Sequence, residues 1–234
     1  MSPQTTRLIA SASTELKQKM RDVGFDLDSW IRLSESEPYV MGVLRRVMVT
    51  DTIEPIIGYT DAMAVHLADL KAESPDELLH IRSFFSGASV ADKSLIARLY
   101  QMGVSANLLA TDLSADSIAV GALNFEVWNQ MLPEQDRYEI HIVNGDVPQE
   151  LLNRDRTIIL QVGDAITTSK RDSLNSTKFD ALIIDNGLQY IDTGSTREII
   201  SNVLQNKGDR GLYIGTLGLD SDIKVEISPF THAK

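Results

Sequence analysis

The sequence predicts a doubly wound α/β protein, and three features predict it. From residue 79 onward, short apolar runs alternate with segments of helical periodicity, the pattern of a parallel sheet wrapped by helices. One of those runs, residues 179–184, is nearly all apolar, as a strand buried on both faces must be. Several runs end in turns bearing Gly or Asp that lead directly into helical segments.

The first 73 residues read as a helical cap or lid, and residues 74–234 as the α/β domain. Val40, Val43, Leu44 and Val47 fall on one helical face, with Pro38 where a first turn tolerates it. A second helix over residues 59–70 presents Met63, Leu67 and Leu70. Ser74-Pro75-Asp76-Glu77 has the form of a helix start, with Ser as the cap, Pro at the first position and Glu three residues on. Residues 79–85 then form the first strand. A helix over 92–102, with Leu95, Leu99 and Met102 inward, stops at Gly103. Residues 107–111 are the second strand, and Ser114 caps a helix reaching about Gln130. Two further strands cover 138–143 and 157–162, and a fourth apolar run covers 179–184. Ser195-Thr196-Arg197-Glu198 is a capping box for a helix to Gln205. Strands over 211–216 and 223–227 complete the sheet.

Composition narrows the function classes. The chain has 234 residues, 33 acidic and 22 basic side chains, and a formal charge of −11, so its averaged field repels nucleic acid and anionic lipid. The nearest thing to a basic patch, Arg45-Arg46, is the solvated edge of a helix. There is no cysteine, which removes disulfides, thiolate metal sites and Cys nucleophiles together. The four histidines, His66, His80, His141 and His232, make no metal-ligand spacing with carboxylates, and no metal is expected. No apolar run has membrane-spanning length, and residues 1–20 lack the apolar block of a signal peptide. A cytoplasmic location without nucleic-acid or membrane partners is the expectation.

Four strand ends carry the chemistry. Phe85-Ser86-Gly87-Ala88-Ser89-Val90-Ala91 puts small residues at 87, 89 and 91 before a helix, where the backbone can approach a ligand and the helix N-terminus adds partial positive charge. Gly at all three positions is what a pyrophosphate requires, so this loop suits a cofactor without phosphates better than NAD. A plain tight strand-to-helix turn is the other reading. Asp112 ends the second strand at the offset of a ribose-binding acid, and Leu113 beside it is placed to lie against an adenine. The alternative is that Asp112 only prepares the turn before Ser114. Gly163-Asp164-Ala165 offers a carboxylate and an amide suited to an adenine edge, or a simple turn. Asn144-Gly145-Asp146 is a competing copy, but Asn-Gly is a strong hairpin signal, and Asp164 leaves the shorter connection to the next strand. Asp185-Asn186-Gly187 lies at the mouth of the most buried strand, where ligands of open α/β sheets bind, or forms a turn.

Taken in this order, the four strand ends resemble the class I S-adenosylmethionine-dependent methyltransferases, over residues 74 to about 217. That resemblance implies a Rossmann-like, mostly parallel sheet and S-adenosylmethionine as cofactor. It implies Gly87 and Ser89 at the methionine end, Asp112 and Leu113 at the ribose and adenine, Asp164 and Ala165 at the adenine, and Asp185 and Asn186 facing methionine and substrate. Asp185 and Tyr190 are then the nearest groups to serve as a base, and the acceptor is a small molecule or a protein side chain. Phe179-Asp180 and Lys207-Gly208-Asp209-Arg210-Gly211 also fit the family pattern. Trp30 and Tyr39 of the helical region are expected to line the substrate side. The sequence departs from the family where Phe85 stands for an acid and where Ser89 and Ala91 stand for glycines. Few residues remain after Thr216 for the usual closing elements. A sheet edge left open there invites pairing with another chain, which points to a homodimer. The same departures keep a non-catalytic binding or scaffold protein in view.

Overall fold

In the computed structural model, the structure describes residues 13–26, 54–174, 178–185, 191–205 and 213–217. In chain order these form α1 (Thr14–Asp22), α2 (Glu54–Glu73), β1 (His80–Phe84), α3 (Val90–Gln101), β2 (Asn107–Asp112) and α4 (Ala115–Asn129). There follow β3 (Glu139–Asn144), the single turn α5 (Gln149–Leu152), β4 (Thr157–Val162), α6 (Ala165–Leu174), β5 (Ala181–Asp185), α7 (Thr193–Gln205) and β6 (Tyr213–Leu217). The six strands make one sheet in the order β3-β4-β2-β1-β5-β6, and every neighbouring pair is parallel. This is a Rossmann-like, doubly wound α/β fold.

The apolar runs become strands because alternate residues find a helix layer on each side. Ile81, Leu108, Ala110, Ile158, Leu160, Ala181 and Ile183 join one core with side chains from α1, α2, α3 and α4. Phe84, Leu109, Ile159, Leu182 and Ile184 join a second core with α5, α6 and α7. The helical residues before position 74 belong to the first core: Leu16, Met20, Met63, Ala64 and Leu67 are all buried in it. α2 ends at Glu73, and Trp30, Tyr39 and the 40–47 face lie outside the described residues.

Three local expectations are corrected. Ser74 to Glu77 is a turn, closed by the Glu77 amide donating to the Ser74 carbonyl at 3.2 Å, and it leads into β1 instead of opening a helix. With β1 beginning at His80, the residues between Ser74 and the strand leave no room for a helix, whatever the capping pattern says. Asn144-Gly145 does not make a hairpin, because β3 and β4 run parallel with Glu139 opposite Thr157. Parallel neighbours need a crossover, which residues 145–156 supply with α5 inside it. Gly145 still uses its freedom, with φ +94°, to turn the chain away from the sheet edge. The helix expected to start at Ser195 starts at Thr193, because Asp192 is its cap: its carboxylate accepts from the Ser195 amide at 3.0 Å and the Ser195 hydroxyl at 2.7 Å. The expected cap at Ser114 does form, its hydroxyl accepting from the Ser117 amide at 3.2 Å. The strand expected over 223–227 lies outside the described residues.

Candidate functional site

After β1 the chain builds outward through β2 to the far edge. With β5 and β6 it builds outward in the opposite direction. The crevice outside the carboxyl ends of β1 and β5 is therefore a topological switch point, the usual ligand position in open α/β sheets. Register aligns the strand ends there: Phe84 stands opposite both Thr111 and Ile184, and Thr111 opposite Gln161. One step further along the chain come Phe85, Asp112, Val162 and Asp185.

The loop leaving β1 is coiled by three residues in the left-handed region, Phe85 at φ +57°, Gly87 at +52° and Ser89 at +53°. Only Gly87 adopts this without cost, and space for a Cβ is open there. The loop is pinned at both sides. The Ser86 amide donates to the Thr111 carbonyl at 3.2 Å and the Gly87 amide to Asp112 Oδ2 at 2.9 Å. From α4, Asn124 Nδ2 donates to the Ala88 carbonyl at 3.2 Å.

Asp112 thus has one oxygen on the loop, while its Oδ1 accepts from the Ser114 amide at 2.9 Å. An ionised carboxylate offers about four lone-pair sites, so both oxygens keep capacity for donors approaching from solvent. Leu113 beside it is 76% exposed. The turn after β4 joins the same place, with the Gly163 amide donating to the Asp112 carbonyl at 2.9 Å. Asp164 is exposed and caps α6, accepting from the Thr167 amide at 2.8 Å. Gly163 is required there, because a Cβ would meet Thr168 Cγ2 at 2.8 Å.

The structure therefore brings Gly87, Asp112, Leu113 and Asp164 together, with the backbone of Asp185 in the same row. It separates Asp164 from Asp146: β4 lies against β2, whereas Asp146 follows the outermost strand and pairs with Arg171 Nη1 at 2.5 Å. Ser89 and Ala165 enter the site by backbone only. Ser89 is buried, its hydroxyl turned inward against Gly121 of α4, where a Cβ would approach Ser89 Oγ to 3.0 Å. The Ala165 methyl is buried in the second core. Asn186 and Tyr190 lie outside the described residues.

Sequence reasoning passed over the groups that hold this arrangement. Gly121 carries a legible signal, an isolated glycine within a strongly apolar helix. Beneath the strand ends, on the second core's face, Arg82 is fully buried. Its Nε donates to Asp172 Oδ2 at 2.6 Å, and its Nη1 to the Leu109 carbonyl at 2.9 Å and Thr111 Oγ1 at 2.8 Å. The guanidinium carbon lies 3.9 Å from the centroid of the Phe84 ring, a cation–π contact. Thr111 passes the chain on to Gln161 Oε1 at 2.8 Å, and Gln161 Nε2 donates to the Gly145 carbonyl at 2.6 Å. This polar row crosses β1, β2 and β4 one residue short of the candidate site. Burial pushes the Asp172 carboxyl above the usual carboxylate range, the opposing pull of Arg82 being smaller. Burial also lowers the Arg82 pKa, which for a guanidinium leaves it charged. Among the described residues no group of three or more His, Asp or Glu is placed to hold a metal, and no helix is long and apolar enough to cross a membrane.

No family model and no curated protein matches the chain. Solved structures similar to it include a SAM-dependent methyltransferase from Agrobacterium tumefaciens, at 15% identity and TM-score 0.43, covering 67% of this chain and 45% of that one. A SAM-bound amino pentose methyltransferase from Micromonospora echinaspora has 14% identity and TM-score 0.40, covering 68% of this chain and 51% of that one. A plantazolicin methyltransferase in complex with SAH has 13% identity and TM-score 0.44, covering 92% of this chain and 62% of that one. The chain thus spans between 45% and 62% of the length of these structures.

Proposed function

We propose that this chain binds S-adenosylmethionine across the carboxyl ends of β1, β2, β4 and β5 and transfers its methyl group to a small-molecule or protein acceptor. The observation that carries the reading is the hydrogen bond between the Gly87 amide and Asp112 at the switch point, which couples a ligand-facing loop to a carboxylate with unused acceptor sites. In this reading Asp112 accepts from the ribose hydroxyls and Leu113 lies on the adenine. Asp164 and the Ala165 amide take the adenine edge, and the open backbone at Gly87, with that of Ser89, faces the methionine end. Asp185 and Asn186 stand at the boundary between cofactor and acceptor.

S-adenosylmethionine supplies a methyl group on a sulfonium sulfur, which keeps the bonding electron pair when the methyl leaves. The chain's residues then have to align donor and acceptor and exclude water. A base is needed only where the acceptor must lose a proton before attack, and Asp185 and Tyr190 are assigned that role.

Isothermal titration of the full chain with S-adenosylmethionine and S-adenosylhomocysteine tests the reading. Saturable heat is expected, with about tenfold or greater weakening in Asp112→Ala, as loss of charged hydrogen-bond acceptors implies. Absence of heat at high micromolar ligand sinks the proposal. A second reading, a non-catalytic binding or scaffold protein on this fold, is favoured by Phe85 standing where the family carries an acid and by Ser89 and Ala91 standing where it carries glycines. It is distinguished by cofactor binding without methyl transfer to any acceptor, or by no binding at all.

A further inference from the structure

One edge of the sheet is β3, and the backbone of an edge strand points alternately inward and outward. The Glu139 amide donates to the Arg156 carbonyl at 2.9 Å, so Glu139, His141 and Val143 turn their N–H and C=O groups toward β4. Ile140, Ile142 and Asn144 therefore turn theirs outward. Lys19 Nζ, reaching from α1, donates to the Ile140 carbonyl at 3.0 Å, which agrees with that direction and blunts the first half of the edge. Among the described residues no bond reaches the outward groups of Ile142 and Asn144. Asn144 is exposed, and Ile142 and Val143 are partly so.

These two residues complement themselves. A two-fold axis through Val143 sets Ile142 opposite Asn144 of a second copy, and each such pair exchanges both of its N–H···O=C bonds. Val143 then meets its own counterpart in a closely spaced pair, and His141 stands opposite Gly145, so no like charges face each other. The charges nearest the edge are already matched, Glu139 by Arg154 at 2.9 Å and Asp146 by Arg171. Two copies of a chain with a formal charge of −11 can therefore approach here without bringing unpaired acids together. Gly145, at φ +94°, turns the chain away after Asn144, so the pairing stops where the outward groups stop.

We propose that the β3 edge is a self-association surface, where a second copy of this chain adds antiparallel and the two six-stranded sheets become one. This is the opposite end of the sheet from the edge beyond Thr216, where the sequence places a homodimer. A pairing this short falls below the roughly 1,200 Å² of a stable interface, so association is weak and depends on concentration. The surface is independent of the cofactor reading, since it uses none of the residues assigned to S-adenosylmethionine.

Because the chain has no cysteine, Val143→Cys in the full chain tests the register directly. In this kind of pair the Cα atoms lie about 4.5 Å apart, within disulfide reach, and mild oxidation should give a covalent dimer on denaturing gels. Glu139→Cys, roughly 27 Å from its counterpart in this register, should not cross-link. A dimer through β6 would leave the two Val143→Cys sites roughly 50 Å apart and unlinked. Sedimentation of the unaltered chain should show a monomer–dimer equilibrium, weakened about thirtyfold in Ile142→Pro by the loss of two hydrogen bonds. Proline is tolerated where the N–H faces out of an edge strand, and circular dichroism checks that the fold is kept, with Asn144→Pro as the second variant. A monomer up to the solubility limit, equal cross-linking of the two cysteine variants, or a dimer indifferent to both prolines would overturn the proposal.

Discussion

The two faces of the sheet do different work. Toward α1–α4 the strands present apolar side chains apart from the buried Ser83, and Ile81, Leu108, Ile158 and Ile183 merge with Met63, Leu67, Leu95 and Leu99 into one continuous core. Toward α5–α7 the same strands carry Arg82, Thr111 and Gln161 in a row, with Asp172 reaching down from α6. The first face stabilises the fold by burial, at roughly 25 cal/mol per Å² of apolar surface. The second gives up part of that gain to ties with fixed length and direction, and those ties run beneath the residues that must stay aligned at the strand ends.

Breaking the ion pair should produce the largest effect. Arg82→Met leaves the Asp172 carboxylate buried without its cation, and a loss on the order of 3–5 kcal/mol is expected in urea denaturation. The double variant Arg82→Met with Asp172→Leu should recover most of that stability while weakening cofactor binding, because the row would no longer hold the strand ends. A double variant as unstable as the single one would show that the pair is not what separates the faces.

A smaller effect is expected where the apolar side meets the loop. Ser89→Gly relieves a left-handed backbone and removes a buried hydroxyl without a partner, and should stabilise by about 1 kcal/mol. Gly121→Ala should destabilise by a similar amount, because its methyl meets Ser89 Oγ, and should become tolerated in the presence of Ser89→Gly. The measurement is the coupling energy of that double-mutant cycle, and strict additivity would refute the contact.

The smallest effect concerns pH. The Ser195 hydroxyl and amide hold the Asp192 carboxyl below the usual range. Its contribution is therefore present above the unfolded value, about 3.9, and lost as pH falls through the folded one. Asp172, raised by burial, has the opposite sign: its contribution is full below the unfolded value and lost as pH rises through the folded one. Asp192→Asn should accordingly flatten the acid limb of the stability profile, and Asp172→Asn should steepen it.

What was legible in the sequence was local. Apolar periodicity located the strands within a residue or two, and Ser114 announced its helix, because both signals act over a few neighbouring residues. Asp112 was singled out for its position after a strand, and its contact with Gly87 is a consequence of β1 and β2 being neighbours. The failures share one cause, a tertiary partner out of sight of the local pattern. Ser74 has a capping sequence but meets a strand six residues later. Asn144-Gly145 makes its turn, yet the pairing it leads to is parallel, since β4 is needed next to β2. Arg82 was passed over inside the first strand, because the aspartate that pairs with it lies 90 residues away.

The strand order also sets a schedule for assembly. The central strand β1 gains its first neighbour when Ile81 meets Leu108, but its other side stays open until Ala181 arrives opposite the same Ile81. Until residues 181–184 are made, then, one edge of this central strand is unpaired and apolar, the kind of surface that pairs with the wrong chain. Such non-local closure slows folding. Chains truncated before residue 181 should therefore be more prone to aggregate than to fold, and β5 serves as the closing seam for β1.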